Sequence, residues 1–174
     1  RILSLPHDWS IEGDFSLDNP STPGGGALPG GIGWYRKTFT LPETDRDKVI
    51  YVDFDGVYRN SEVWINGHSL GFRPNGYVSF RYDLTPYLRY GSQPNVIAVK
   101  ADNSEQPNSR WYSGSGIYRN VWLVKVNPVH VDNWGTFVHD MKISSEEATF
   151  ALEVRIRNSS EADREAEVST SIYD

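Results

Sequence analysis

The side chains that could do acid–base chemistry in this 174-residue chain are mainly carboxylates, because it has no cysteine and only four histidines. Glu12, Asp14, Asp53, Asp55 and Glu62 are the candidates for paired work. Asp53 and Asp55 lie two residues apart, so on a strand they share one face. At a strand end beside a turn, however, they read as a solvated edge rather than a dyad, since surface carboxylates are the common case. Without thiols there is no thiol nucleophile and no thiolate metal site. His68 follows an Asn-Gly turn with no second ligand at metal spacing, so neither a metal nor a cofactor is expected. The glycine-rich run at 24–33 lacks the Gly-Lys-Ser/Thr ending of a phosphate loop. Asn158-Ser159-Ser160 fits the glycosylation pattern, but so short a match arises often by chance.

The rest of the composition narrows the partners. A net charge of −6 with scattered Lys and Arg argues against nucleic acid, since phosphate binding needs a basic field. No apolar run is long enough to cross a bilayer as a helix. Six Trp and ten Tyr supply flat amphipathic rings, which serve both β-sandwich cores and the apolar faces of sugars. The chain opens on Arg1 rather than Met, so the lack of a signal pattern does not argue for the cytoplasm; a periplasmic or secreted home is preferred.

Nearly all of the chain has the period-two alternation of strands with one buried face. Val78, Phe80, Tyr82 and Leu84 alternate with polar residues, as do Phe150, Leu152, Val154 and Ile156. Trp34–Leu41, Val49–Phe54, Asn95–Ala101 and Tyr118–Val126 read as further strands. Asn66-Gly67 between Ser61–Ile65 and His68–Phe72 predicts a hairpin with a type I′ turn, because both central residues must take positive φ. Leu84–Leu88 predicts a single short turn. Residues 1–33 hold so many Gly and Pro breakers that they read as a surface loop. Residues 103–117 form a second long loop, of a length more often functional than accidental. Asn127-Pro128 interrupts the pattern as a domain boundary. Val129–Val131, Thr136–Val138, Thr149–Arg157 and Ala166–Tyr173 then predict three or four strands, fewer than the roughly seven of an immunoglobulin sandwich.

Four segments occur in order: Leu5-Pro6-His7-Asp8-Trp9-Ser10-Ile11, Gly33-Trp34-Tyr35-Arg36-Lys37, Val63-Trp64-Ile65-Asn66-Gly67, and Arg110 through Val121 (Arg-Trp-Tyr-Ser-Gly-Ser-Gly-Ile-Tyr-Arg-Asn-Val). Together they resemble the N-terminal part of glycoside hydrolase family 2, on its β-galactosidase side. The resemblance implies an all-β chain, with a jelly-roll, galactose-binding-domain-like β-sandwich over 1–127. It further implies the start of a truncated, partial immunoglobulin-like sandwich over 128–174. In that family the two catalytic glutamates lie on a later (β/α)8 barrel. Retaining hydrolysis needs two carboxyl groups about 5–5.5 Å apart, so no catalytic residue is expected here and the chain alone should be inactive. A β-glucuronidase of the same family is the alternative, as is a free-standing carbohydrate-binding module or, least favoured, a purely structural sandwich.

By position in the family, His7, Asp8 and Trp9 sit in one loop that reaches toward the sugar, and Arg110 and Trp111 in another. Asp8 offers only acceptors to sugar hydroxyls, Arg110 a fork of donors, and Trp111 a stacking face. Against these stand plainer roles. Asp8 could cap its own turn, Trp9 could be a packing residue, and Arg110 and Trp111 could pack their loop. Some members place an aspartate before the Ser-Gly-Ile motif to hold sodium. Here that position aligns with Arg110, whose charge would repel a cation. Arg119 reads as a buried ion-pair partner. The expected partners are a carbohydrate substrate, a β-galactoside above all, and the barrel of the same chain. Edge strands left by an incomplete second sandwich also predict self-association or disorder over 129–174.

Overall fold

The computed structural model describes residues 1–108 and 113–173, with the side chain of residue 140 left aside. It is all-β: β1 (Gly31–Phe39), β2 (Val49–Phe54), β3 (Ser61–Ile65), β4 (His68–Arg73), β5 (Phe80–Asp83), β6 (Asn95–Asn103), β7 (Val121–Val126), β8 (Val129–Ile143) and β9 (Ala148–Asn158). The strands form a four-stranded sheet in the order β1-β6-β3-β4, a three-stranded sheet β5-β2-β7, and a hairpin β8-β9. The chain divides into two compact units. One comprises residues 1–46 and 50–125, the other residues 47–49 and 126–174.

In the first unit the two sheets form a sandwich around one core. Alternation puts Val52 and Phe54 of β2, Val63 and Ile65 of β3, Tyr82 of β5, and Val99 and Ala101 of β6 into one cluster, closed by Val57, Leu84 and Ile117. Burying such side chains contributes about 1.5–3 kcal/mol each, and Phe54 adds a stack on Phe80 with ring centroids 5.0 Å apart. On the outer face of the larger sheet, Ala98 faces Trp64 across the ladder, and Lys100 faces both Trp34 and Glu62. A small residue at position 98 leaves room for Trp34 and Trp64 to stack over it, 5.3 Å apart. The β3–β4 turn forms as its residues require: Asn66 has φ 49° and Gly67 φ 87°. The Asn66 side chain also accepts from Val96 N at 2.9 Å and donates to the Asn95 carboxamide at 2.8 Å, tying the turn to β6.

Several expectations are corrected. Gly31 to Gly33 belong to β1 rather than to the leading loop. A strand can start there because Gly30 lets backbones meet; an added Cβ would lie 2.7 Å from the Asn103 carbonyl. Residues 118–120 fall outside β7, and Arg119 is exposed rather than buried. In the second unit, Val129 to Ile143 is one strand, with a bulge at 132–135 and a second register shift between Asp140 and Lys142. Pairing passes from Val131↔Ile156 to Thr136↔Val154, so residues 132–135 stand against Arg155 alone. Trp134 takes φ 55° within that bulge, which Arg157 braces through a 3.0 Å bond to Asp132. Residues 166–173 carry no strand despite their alternating pattern. A strand exists only where its N–H and C=O groups find a partner, and no described neighbour pairs with them.

Candidate functional site

The two long loops of the first unit lie side by side. His7 N donates to the Ile117 carbonyl at 2.8 Å and Trp9 N to the Ser115 carbonyl at 3.0 Å. On its other side Gly116 exchanges a reciprocal pair of 2.9 Å backbone bonds with Tyr58. The Ser115–Ile117 segment is thus held between the leading loop and the end of the β2–β3 connection. A loop of this length would otherwise be the loosest part of the molecule.

Side chains complete the fastening. Asp8 Oδ1 accepts from Ser10 N at 2.8 Å and from Ser115 N at 2.9 Å, bridging the loops with one carboxylate oxygen. Below it runs a buried polar network. Ser10 Oγ donates to the Pro29 carbonyl, and the Ser10 and Ser115 hydroxyls lie 2.6 Å apart. Asn103 donates to Ser115 Oγ at 2.8 Å and accepts from Gln106 at 3.0 Å and Asn108 at 3.2 Å. Ser10, Asn103 and Ser115 are all buried. Such groups are tolerated inside because each is satisfied, and together they fix one loop geometry.

His7 and Trp9 are held from below as well. Trp9 donates its indole N–H to the Gly30 carbonyl at 3.1 Å. Its ring lies on Gly33, where an added Cβ would be 2.4 Å away, and it packs against the core. That position gives Trp9 the packing role. His7 Nδ1 lies 2.8 Å from the Tyr35 hydroxyl, while Nε2 faces Arg1 at 3.1 Å and Glu12 at 3.2 Å. Burial and the Arg1 charge lower the His7 pKa below 6.5, with Asp8 opposing them. Burial raises that of the Tyr35 hydroxyl, so it stays protonated.

A depressed histidine binds its proton more readily when unfolded. Stability is therefore full above about pH 6.5 and is lost as pH falls through the interval between that value and the lower folded pKa. Urea midpoints should drop across that window in the wild type, and less so in His7→Gln, which cannot titrate. Equal slopes in the two proteins would refute the assignment.

Arg110 and Trp111 lie outside the described residues, so the structure places three of the five candidates. The candidate carboxylates are otherwise engaged or solvated. Asp53 makes two 2.6 Å bonds to Arg81, Asp55 accepts from the Trp122 indole at 3.2 Å, and Glu62 pairs with Lys100 at 3.3 Å. Glu12 pairs with Arg1 and His7, and Asp14 is exposed. Among the described residues no cluster of His, Asp and Glu is arranged to hold a metal ion. His68 stacks on Tyr87, 4.7 Å away. Tyr35, Ser10, Ser115 and Asn103 were not singled out from sequence. Ser10, Tyr35 and Ser115 lay inside the quoted motifs, but nothing in a sequence says which hydroxyls meet across 80 to 105 positions.

Residues 15–127 match the model of the glycosyl hydrolases family 2 sugar-binding domain. The chain belongs to glycoside hydrolase family 2. Over its full length it is 58% identical to the beta-galactosidase BoGH2A of Bacteroides ovatus, covering 20% of that protein. It is 35% identical to a beta-glucuronidase of Formosa agariphila, again over the full chain and 20% of the relative. Among solved structures, a beta-glycosidase from Bacteroides vulgatus superposes with a TM-score of 0.87 at 51% identity, over 93% of this chain and 21% of that one. This family 2 chain therefore spans about a fifth of the length of these relatives. The fastened loops, apart from the leading residues 7–10, lie within the matched sugar-binding domain.

Proposed function

We propose that this family 2 chain is the non-catalytic, sugar-facing front of a retaining β-galactosidase, lending two loops to the subsite for a terminal β-galactoside. Residues 128–174 are then the opening strands of an immunoglobulin-like sandwich. The observation that carries this reading is the bridge between the His7–Trp9 loop and the Ser115–Ile117 loop through Asp8. It gives both loops one shared geometry, as a subsite built from two chain segments requires. His7, Asp8 and Trp9 set one wall. Arg110 and Trp111 contribute donors and a stacking ring from the other loop, by their place in the motif. Trp9 acts through packing, and Asp8 through its carboxylate. Identity to a beta-galactosidase over the whole chain supports galactose as the sugar.

A second reading, β-glucuronidase, is favoured by the similarity to the Formosa agariphila beta-glucuronidase. Assays of the full-length gene product on nitrophenyl β-galactoside and β-glucuronide separate the two. Turnover of the galactoside, with none by the 174-residue chain alone, is the expected result. Preference for the glucuronide would establish the second reading, and turnover by the chain alone would overturn both.

A further inference from the structure

The Tyr35 hydroxyl stands where the two loops and β1 meet. It lies 2.8 Å from His7 Nδ1 and accepts from the Ile117 N–H at 3.4 Å. We propose that Tyr35 is the positioning residue of the loop pair: it holds His7 of one loop against the Ile117 amide of the other, so loop geometry follows the protonation of His7. The inference rests on the sugar-subsite reading for its functional consequence, though not for its structural one.

The hydrogen-bond inventory assigns the protons. The Ile117 amide can only donate, so the Tyr35 oxygen accepts there and its own proton is free to point at His7 Nδ1. That nitrogen is then an unprotonated acceptor and the ring proton sits on Nε2, facing Glu12 at 3.2 Å, while the Arg1 guanidinium, 3.1 Å from Nε2, turns its N–H groups onto Glu12 and away from the ring. In this arrangement a relay runs from the Glu12 carboxylate through the His7 ring and the Tyr35 hydroxyl to the Ile117 amide, with a donor facing an acceptor at each step. Among the described residues, the charged and titratable groups around the imidazole are Arg1, Asp8, Glu12 and Tyr35. Protonating His7 places a second donor on Nδ1, directly against the tyrosine proton. The hydroxyl proton must then rotate off the imidazole, and the oxygen accepts from Nδ1 as well as from the Ile117 amide. An added Cβ on Gly116 would sit 2.2 Å from the Tyr35 oxygen. Acid therefore reverses the direction of the bond that joins the loops and takes the imidazole acceptor away from the tyrosine proton, at a place where the Gly116 backbone lies close to the Tyr35 oxygen.

Two measurements on the full-length protein test this. In hydrogen exchange, Tyr35→Phe, which removes the hydroxyl and keeps the ring, should speed exchange of the Ile117 amide about tenfold, the size of one lost hydrogen bond. In kinetics on nitrophenyl β-galactoside, the same variant should raise KM about tenfold while kcat changes far less, as loss of ground-state positioning requires. Wild-type KM should also climb as pH falls through the folded His7 pKa, which lies below the ordinary 6.5, and His7→Gln, which keeps an acceptor but cannot titrate, should flatten that acid limb. Unchanged Ile117 exchange in Tyr35→Phe overturns the positioning role whether or not sugar is cleaved. An acid limb surviving in His7→Gln overturns the coupling to protonation. Faster exchange in a protein that turns over no β-glycoside would sink the subsite reading and leave the positioning role standing.

Discussion

Gly116→Ala should be among the most damaging single changes in this chain, lowering stability by about 2–6 kcal/mol. Two independent costs add. Gly116 has φ +122°, a conformation nearly closed to residues with a Cβ, and forcing it costs about 1–3 kcal/mol. The added methyl would also lie 2.2 Å from the Tyr35 oxygen, 2.9 Å from the His7 carbonyl and 3.1 Å from the Trp9 ring. Two of these neighbours are a backbone oxygen and a wedged indole, neither of which can step aside cheaply, and overpacking of this kind costs about 1–3 kcal/mol. Gly67→Ala is the internal control. Gly67 also has positive φ, at +87°, but nothing lies within 4 Å of its would-be Cβ. It should lose only the conformational part, about 1–2 kcal/mol. Urea midpoints with unchanged slopes measure both. Similar losses at the two glycines would show that the loops are not in fact packed tightly at Gly116.

Removing the Asp8 carboxylate should cost nearly as much, about 2–4 kcal/mol in Asp8→Ala. Hydrogen bonds to an ionised acceptor contribute about 1.5–3 kcal/mol each, and Oδ1 accepts two, from Ser10 N and Ser115 N. The two bonds share one oxygen and one loop geometry, so their losses are less than additive. Asp8→Asn keeps an oxygen in place of Oδ1 and should lose about 1 kcal/mol, the difference between charged and neutral acceptors. In the full-length protein, Asp8→Ala should also raise KM for nitrophenyl β-galactoside at least tenfold, or about 1.4 kcal/mol. If Asp8→Ala unfolds at the wild-type urea midpoint, the bridge contributes nothing. If KM stays level while stability falls, Asp8 fastens the loops without serving the sugar.

These two residues show where sequence and structure divide the information. Strands were legible because each carries its own pattern. Val49–Phe54 and Ser61–Ile65 alternate or run apolar against a single core, and Asn66-Gly67 writes its turn type into two adjacent residues. Composition likewise excluded thiol chemistry and made a basic nucleic-acid surface untenable. The four ordered motifs carry the family resemblance in the sequence alone. The pattern failed where a partner was needed. Residues 166–173 alternate as a strand does, yet hydrogen bonding across a sheet is non-local, and no described strand meets them. Arg119 read as buried because the strand was expected to start at Tyr118 and so to include it, yet the strand begins only at Val121 and leaves it in solvent.

The site was legible in its parts and not in its assembly. Sequence marked His7, Asp8 and Trp9 as one loop and residues 103–117 as another. It offered Asp8 two roles, sugar acceptor and local cap, with no means of choosing. Only tertiary structure brings Ser115 N, 107 positions away, onto the same carboxylate oxygen, and only it sets the Tyr35 hydroxyl between His7 and Ile117. The physical reason is that hydrogen-bond satisfaction of buried polar groups belongs to the packed molecule. Alternation tells a residue which way to face, but which hydroxyl, amide and carboxylate then meet is decided when the sheets close.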